Sequence, residues 1–380
     1  MKSALVIHAP MSVLGGAELV NLHTMKLLQE SCYEITLLSD SWSSLPLVER
    51  FGMALDGIKW KPIEISKFVP RMPVASGYQR ISFMLRRQAE IDHVVGNKTD
   101  YDLVIDTFSG WDLPSGIRGR KMIYFHEIPI LGHPRGPLWG AYYALGDLVF
   151  RRHMSKIQGS EAVCNSSYTS KLLLAAYGID GRVVYPPVNA EFFSQVAEHE
   201  PRENRFVVLS RFCREKKLHE GIEVLRKLIS RVPDAKATII GAVTSSDVLE
   251  ELRQMSSLYG VGNNVSFAPN LDMRSVREVL SASKVVFSTM ANEPFGIGIV
   301  EGMAAGCVPL VHKGGGQYDD VIDHDRYGLS YNDQEEAVAL MESIMLGDQK
   351  RSELKRAAVS RALQFSVNRF REEFKESIGE

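Results

Sequence analysis

Four cysteines in 380 residues, Cys32, Cys164, Cys213 and Cys307, form no Cys-x-x-Cys pair, which excludes a disulfide-stapled scaffold and a structural zinc site and fits a reducing cytosol. No run of about 20 apolar residues occurs, so nothing in the sequence reads as a membrane-spanning helix. The opening Met1-Lys2-Ser3-Ala4-Leu5-Val6-Ile7-His8 is too short an apolar run for a signal peptide and reads as the first strand of a domain. An excess of charge is also missing. With 44 Lys and Arg against 46 Asp and Glu, the formal net charge of -2 argues against a general nucleic-acid binder. Neither Gly-x-Gly-x-x-Gly nor the P-loop pattern is present, so dinucleotide oxidoreductase and P-loop readings lose support. These absences lead to an expected cytoplasmic location, with peripheral attachment to the cytoplasmic membrane face left open.

What is present is an ordinary globular composition, 45% hydrophobic and 24% charged, in a chain long for one core and comfortable for two. The charge is uneven. Residues 1–190 hold 20 basic against 17 acidic residues, leaving 24 against 29 for the rest, so the first half is the one to meet an anionic surface. Strand-like runs at Ala4–His8, Glu34–Leu38, Leu103–Asp106, Lys121–Phe125 and Ala162–Cys164 alternate with helical spacing, beginning with Leu19, Leu22, Met25 and Leu28. After a polar stretch at Ala197–Arg205 the alternation resumes, with strands at Phe206–Ser210, Ala237–Ile240, Val265–Phe267, Val285–Ser288 and Val308–Val311 and helices over Gly221–Arg231 and Asp247–Tyr259. The pattern predicts an α/β protein of two Rossmann-like, doubly wound domains, with ligands at the carboxyl ends of the strands and in the cleft between domains.

The densest chemistry lies between Asn292 and Leu310, where Glu293 and Glu301 stand eight positions apart around a glycine-containing turn. The run Lys284-Val285-Val286-Phe287-Ser288 gives a strand, then a loop, then a helix starting near Phe295. Glu293 falls on the loop. Glu301 falls in an all-round apolar helix, where burial would require a partner. The amides of Gly296, Ile297 and Gly298 lie at the helix mouth, which favours a phosphate. A sugar joined to phosphate would satisfy all three features.

This segment, with Pro294-Phe295-Gly296 and Met303-Ala304-Ala305-Gly306, resembles the signature of the family 4 retaining glycosyltransferases. The resemblance implies the GT-B fold, with its two domains facing across a cleft. It also implies that Glu293 contacts the donor sugar, that Glu301 holds the ribose, and that Phe295, Gly296 and Ile297 bind phosphate or sugar through backbone amides. The expected domains are residues 1–190 for the acceptor and 200–365 for the donor. The segment Ser366 to Glu376 resembles the terminal helix that crosses back in GT-B proteins, so 366–380 is expected to pack on the first domain.

Other motifs extend the resemblance. Gly15 and Gly16 sit where the first strand turns into its helix, and Gly15-Gly16-Ala17-Glu18 is similar to the family's N-terminal loop beside the donor phosphate and acceptor. Ser210-Arg211-Phe212-Cys213-Arg214-Glu215-Lys216-Lys217 resembles the family's Gly-Arg-Leu-x-x-x-Lys-Gly, which implies that Arg211 and Lys216 clamp the donor diphosphate; Ser210 and Lys217 replace its glycines. His126, in Tyr124-Phe125-His126-Glu127-Ile128-Pro129, is implied to contact the donor sugar, and Asp106 is a weaker candidate. His312 with Gly314-Gly315-Gly316, and Tyr185-Pro186-Pro187-Val188, look like the ALG-type (asparagine-linked glycosylation) α-1,2-mannosyltransferases, although Gln317 stands where proline is usual. Residues 118–156 carry seven Lys or Arg interleaved with Trp139, Tyr142, Tyr143 and Phe150, a mix suiting either an interfacial helix at a headgroup layer or an amphipathic core helix. Asp323-His324-Asp325 reads as a turn and not a metal site. Asn165-Ser166-Ser167 reads as a strand end and helix N-cap.

The expectation is therefore a hexosyltransferase taking mannose from GDP-mannose to a lipid-linked saccharide. Catalytic roles fall to Glu293, His126, Arg211 and Lys216, with no metal or other cofactor and no nucleic-acid partner. A UDP-glucose or UDP-N-acetylglucosamine transferase acting on a soluble or cell-envelope acceptor, and a non-catalytic sugar-nucleotide binding subunit, are the alternatives.

Overall fold

The computed structural model describes residues 2–8, 11, 15–42, 53, 55–63, 89–96, 100–109, 113–114, 116–128 and 157–380. Residues 129–156, most of the segment weighed as a lipid-facing helix, lie outside the described residues. Two compact units emerge. One comprises Met1–Asn165, Thr169–Val184 and Phe374–Glu380, the other Ser166–Tyr168 and Tyr185–Glu373.

The first unit holds strands β1 (Lys2–Ile7), β2 (Tyr33–Ser39), β3 (Lys59–Pro62), β4 (Asp100–Asp106), β5 (Arg118–Phe125), β6 (Glu161–Cys164) and β7 (Arg182–Val183), with helices α1 (Gly16–Glu30) and α2 (Ser167–Tyr177), whose first two residues belong to the other unit. The sheet order is β3-β2-β1-β4-β5-β6-β7, every pairing parallel. Ala4, Leu5, Val6 and Ile7 are fully buried, because a parallel strand is covered on both faces and so reads as an unbroken apolar run.

The second unit repeats the scheme with β8 (Glu203–Leu209), β9 (Lys236–Gly241), β10 (Val265–Pro269), β11 (Ser283–Phe287), β12 (Val308–His312) and β13 (Leu329–Tyr331) in the order β10-β9-β8-β11-β12-β13, again all parallel. Its helices are α3 (Ala190–Ser194), α4 (His219–Leu228), α5 (Ser246–Leu258), α6 (Met273–Ser281), α7 (Ile297–Ala304), α8 (Gln334–Leu346) and α9 (Asp348–Ala362). The terminal α10 (Val367–Ile378) is divided, its residues up to Glu373 belonging to this unit and those from Phe374 to the first. Alternation along the strands builds two cores. Phe206, Val208, Val285 and Phe287 meet α4 and α8 residues such as Leu225 and Met341, while Val207 and Val286 meet α7 residues Val300 and Met303 on the other face.

In both sheets the strand order reverses next to the first strand, between β1 and β4 and between β8 and β11, which is where a doubly wound sheet presents a crevice. The second crevice is shaped by glycine. A Cβ on Gly298 would lie 2.6 Å from the Leu209 carbonyl oxygen, and one on Gly302 would lie 2.5 Å from the Val286 side chain, so α7 presses against β8 and β11 more closely than any side chain permits. Arg202, 6% exposed, locks the far end, its guanidinium donating to the carbonyls of Leu280, Ser283, Ala197 and Ala305. Among the described residues no helix is long and apolar enough to cross a membrane.

The helix expected from Phe295 instead starts at Ile297, because Gly296 is its N-cap with φ of 93° and interrupts the helical backbone. Replacing Gly298 with alanine is expected to destabilise the second unit by about 1–3 kcal/mol, since the clash is with backbone. Gly262→Ala, where a Cβ would meet nothing within 4 Å, should stay within about 0.5 kcal/mol of the parent. Urea titration of the two variants checks both.

Candidate functional site

At the carboxyl end of β8 the chain passes through Ser210 and Arg211 into a 3-10 turn, Arg214–Lys216, closed by Lys217 in the left-handed region at φ 47°. The turn brings Lys216 back toward β11. Its Nζ donates to Glu293 Oε2 at 2.6 Å and lies 3.3 Å from Met290 Sδ, and its carbonyl accepts from the Thr289 hydroxyl at 2.7 Å. With side chains 16% and 19% exposed, Lys216 and Glu293 form a largely desolvated ion pair. Arg211 is different. It is exposed, and among the described residues its side chain makes no hydrogen bond or ion pair; only its carbonyl accepts, from the Cys213 amide at 2.9 Å.

The Glu293 turn is held from below by the glycine loop after β12. Gly316 N–H donates to the Glu293 carbonyl at 2.8 Å, and Gln317 Nε2 donates to the Met290 carbonyl at 2.8 Å. A Cβ on Gly315 or Gly316 would lie 2.6 Å or 1.9 Å from the carbonyl oxygens of Glu293 and Pro294, so only glycines permit the two loops to stack. The sequence did not signal Met290, which belongs to no motif, and marked Gln317 only as a departure from the proline usual in the glycine loop. Phe295 turns its ring away from the loop, 2% exposed, into a cluster with Tyr185 and Phe365 at centroid distances of 5.7 and 5.4 Å. Only its backbone can serve a ligand. The amides of Gly296, Ile297 and Gly298 precede the first intrahelical acceptance by Gly296, so the mouth of α7 presents donors and a positive dipole end. Glu301, one turn further, is half-buried and not enclosed as the apolar helix pattern suggested, because α7 lays only one face against the sheet.

A separate cluster occupies the carboxyl ends of β1, β4 and β5 in the first unit. Gly15 is the N-cap of α1, with Gly16 its first residue, and the Gly15 amide donates to Glu18 Oε2 at 2.6 Å. Its φ of -111° is open to any residue, and a Cβ there would meet only the end of the Glu18 carboxylate, at 3.0 Å. Glu18 Oε1 lies 3.6 Å from Nε2 of the fully buried His8, whose Nδ1 meets Thr107 Oγ1 at 2.8 Å. Burial pulls the Glu18 carboxyl upward, but the bond to His8, its charge and the backbone amides of Glu18 and Gly15 outweigh burial and hold it below the usual range. The spacing of Glu18 three residues after Gly15 is that of a capping box and could have been read.

His126 follows β5 directly. Its Nε2 meets the Thr107 carbonyl at 3.0 Å and its amide donates to Ser109 Oγ at 3.2 Å. Burial first, then the charge of His8, lower its pKa to about 4, against the Thr107 bond and the Glu18 charge. Asp106 caps a turn, accepting from the Phe108 amide at 2.7 Å. Asp323, His324 and Asp325 all have positive φ and form a turn, and no group of three or more His, Cys, Asp or Glu residues among the described residues could hold a metal. The Asn165 amide side chain donates to the His126 carbonyl at 2.8 Å, and its Oδ1 accepts from the Thr169 hydroxyl at 2.7 Å.

Two parallel sheets with helices in this order define the GT-B type of glycosyltransferase fold. HepE of Anabaena, solved with UDP and glucose, has a TM-score of 0.73 at 18% identity over all of both chains. WaaG, a glycosyltransferase involved in lipopolysaccharide biosynthesis, has a TM-score of 0.71 at 13% identity over 99% of each. Residues 189–361 match the family described as glycosyl transferases group 1, and that segment holds the Lys216–Glu293 pair. The human GDP-Man:Man(3)GlcNAc(2)-PP-Dol alpha-1,2-mannosyltransferase is 29% identical over 231 residues, 56% of this chain and 47% of that protein. The chain spans about half the length of the curated relatives it matches.

One consequence is independent of ligand. Because the folded state keeps His126 neutral down to about pH 4, while an unfolded histidine takes up its proton near pH 6.5, the unfolded state binds more protons in between. Stability therefore falls as pH drops from about 6.5 to 4, and His126→Gln should flatten that part of the stability profile, followed by urea titration, by about 3 kcal/mol.

Proposed function

We propose that this chain is a retaining, metal-independent glycosyltransferase that moves mannose from GDP-mannose to a lipid-linked saccharide. The observation that carries the proposal is the Lys216–Glu293 pair at the carboxyl ends of β8 and β11, with Arg211 on the loop after β8 and the open mouth of α7, the helix that carries Glu301, following Glu293 in the chain. The GDP-mannose donor and lipid-linked acceptor are supported by the names of the curated relatives. HepE, solved with UDP and glucose, supports a uridine-linked glucose as the second reading.

In this reading the donor diphosphate draws Lys216 away from Glu293, and Arg211 joins it from solvent. The leaving nucleoside diphosphate develops charge as the glycosidic bond breaks. Two cations and the amides of Gly296 to Gly298 meet that charge in a preorganised, partly desolvated setting, where electrostatic stabilisation is strongest. Glu293, released from Lys216, accepts from the sugar hydroxyls, and Glu301 on the outward face of α7 holds the ribose. Gly15, Gly16 and His126 take the roles in the first unit that the family resemblance implies, His126 as a neutral imidazole able to hydrogen-bond a sugar without adding charge.

Calorimetric titration with GDP, UDP, ADP and NADH tests the donor class. Binding of GDP that weakens about ten-fold or more in Glu301→Ala is expected; no diphosphate binding, or NADH binding untouched by the substitution, overturns the reading. Transfer activity should survive EDTA, and activity lost to EDTA and restored by manganese would refute the metal-independent mechanism.

A further inference from the structure

We propose that Gln317 is the residue that reads the sugar of the donor, its Oε1 accepting a hydrogen bond from one hexose hydroxyl. The inference rests on the reading of the second unit as a nucleotide-sugar site. Gln317 is completely buried, yet its Oε1 has no hydrogen-bond partner among the described residues. The orientation of the carboxamide is fixed by chemistry: Nε2 donates to the Met290 carbonyl at 2.8 Å, and the flipped amide would set oxygen against oxygen. The orphan acceptor lies at the mouth of α7, where a Cβ on Gly296 would stand 3.7 Å from it.

A buried acceptor without a donor weakens a fold, and leucine would fill nearly the same volume without one. The carboxamide is useful if its donor arrives with the ligand. A diphosphate at neutral pH offers acceptors only, so phosphate cannot satisfy Oε1. A hydroxyl can. Gln317 is also tied to the cation that a diphosphate would recruit, since the Met290 whose carbonyl it holds rests its sulfur 3.3 Å from Lys216 Nζ. Drawing Lys216 from Glu293 to the diphosphate frees the Met290 to Gly296 turn, which neighbours Oε1, and admits the sugar hydroxyl to it. Gln317 thereby separates nucleotide sugars from bare nucleotides.

Titration of wild type, Gln317→Leu and Gln317→Met with GDP and GDP-mannose, and with UDP and UDP-glucose, tests this beside their thermal unfolding. Both variants lose the bond to the Met290 carbonyl alike and should unfold at similar temperatures, bind the bare diphosphate nearly as wild type does, and bind the matching sugar nucleotide about five- to ten-fold more weakly. If Gln317→Leu does not fold, Gln317→Met decides. Equal loss of both ligands, or no loss of either, assigns Gln317 to packing and overturns the inference while leaving the site reading intact. Failure of wild type to bind any nucleotide defeats the site reading, and this inference with it.

Discussion

The chemistry of the second unit depends on how closely α7 can approach the sheet. Gly298 and Gly302 remove two side chains from the contact with Leu209 and Val286, and the helix settles with its amino end over the carboxyl ends of β8 and β11. Its axis then points the open amides into the crevice created by the strand-order reversal. Arg202 anchors the other end by donating to the carbonyl of Ala305, the C-cap of α7, and to that of Leu280 in the last turn of α6, a cation placed where a helix carboxyl end favours one. A rigid helix fixed at both ends gives Glu293, before it, and Glu301, within it, a constant separation. Loops alone would not hold such a spacing.

The sequence exposed the scaffold more fully than the site because buried parallel strands and amphipathic helices leave periodic traces, while contacts between loops do not. Both sheets were legible from their apolar runs. β3 was not, since Lys59-Trp60-Lys61-Pro62 is a polar edge strand, and neither was β7, with two residues. The start of α7 was displaced by two residues because a left-handed glycine cannot be told from a helical one by composition. Glu293, Lys216 and the glycine loop were marked by wording, but nothing in the wording said that Lys216 and Glu293 bond to each other, 77 residues apart. Gln317 was visible only as a departure from a resembled pattern, and its orphaned oxygen is a property of packing.

The first unit reaches its polar cluster by another route. His8, Thr107, Asn21 and His126 are linked by hydrogen bonds of 2.8 to 3.0 Å where three neighbouring strands end beside α1, and Glu18 approaches His8 at 3.6 Å. Burial dominates there. It drives His126 to neutrality, whereas the Glu18 carboxyl stays ionised because it gains the His8 contact and the capping amides. Two ionisable groups in one cluster are thus both held deprotonated, the imidazole by burial and the carboxylate by the contacts that outweigh burial.

The two cations of the second unit show why an internal ion pair suits a charge-receiving site. An ammonium as desolvated as Lys216 would be strongly disfavoured alone, and Glu293 compensates it at 2.6 Å. Arg211 remains hydrated and needs no such partner. A ligand that enters must therefore outbid a carboxylate for Lys216, which a diphosphate does with more charge and more acceptor oxygens, while a neutral sugar does not. In the proposed function the same exchange would release Glu293 as a hydroxyl-bearing group arrives beside it, and selectivity for a sugar carried on a diphosphate would follow from competition for one ammonium group.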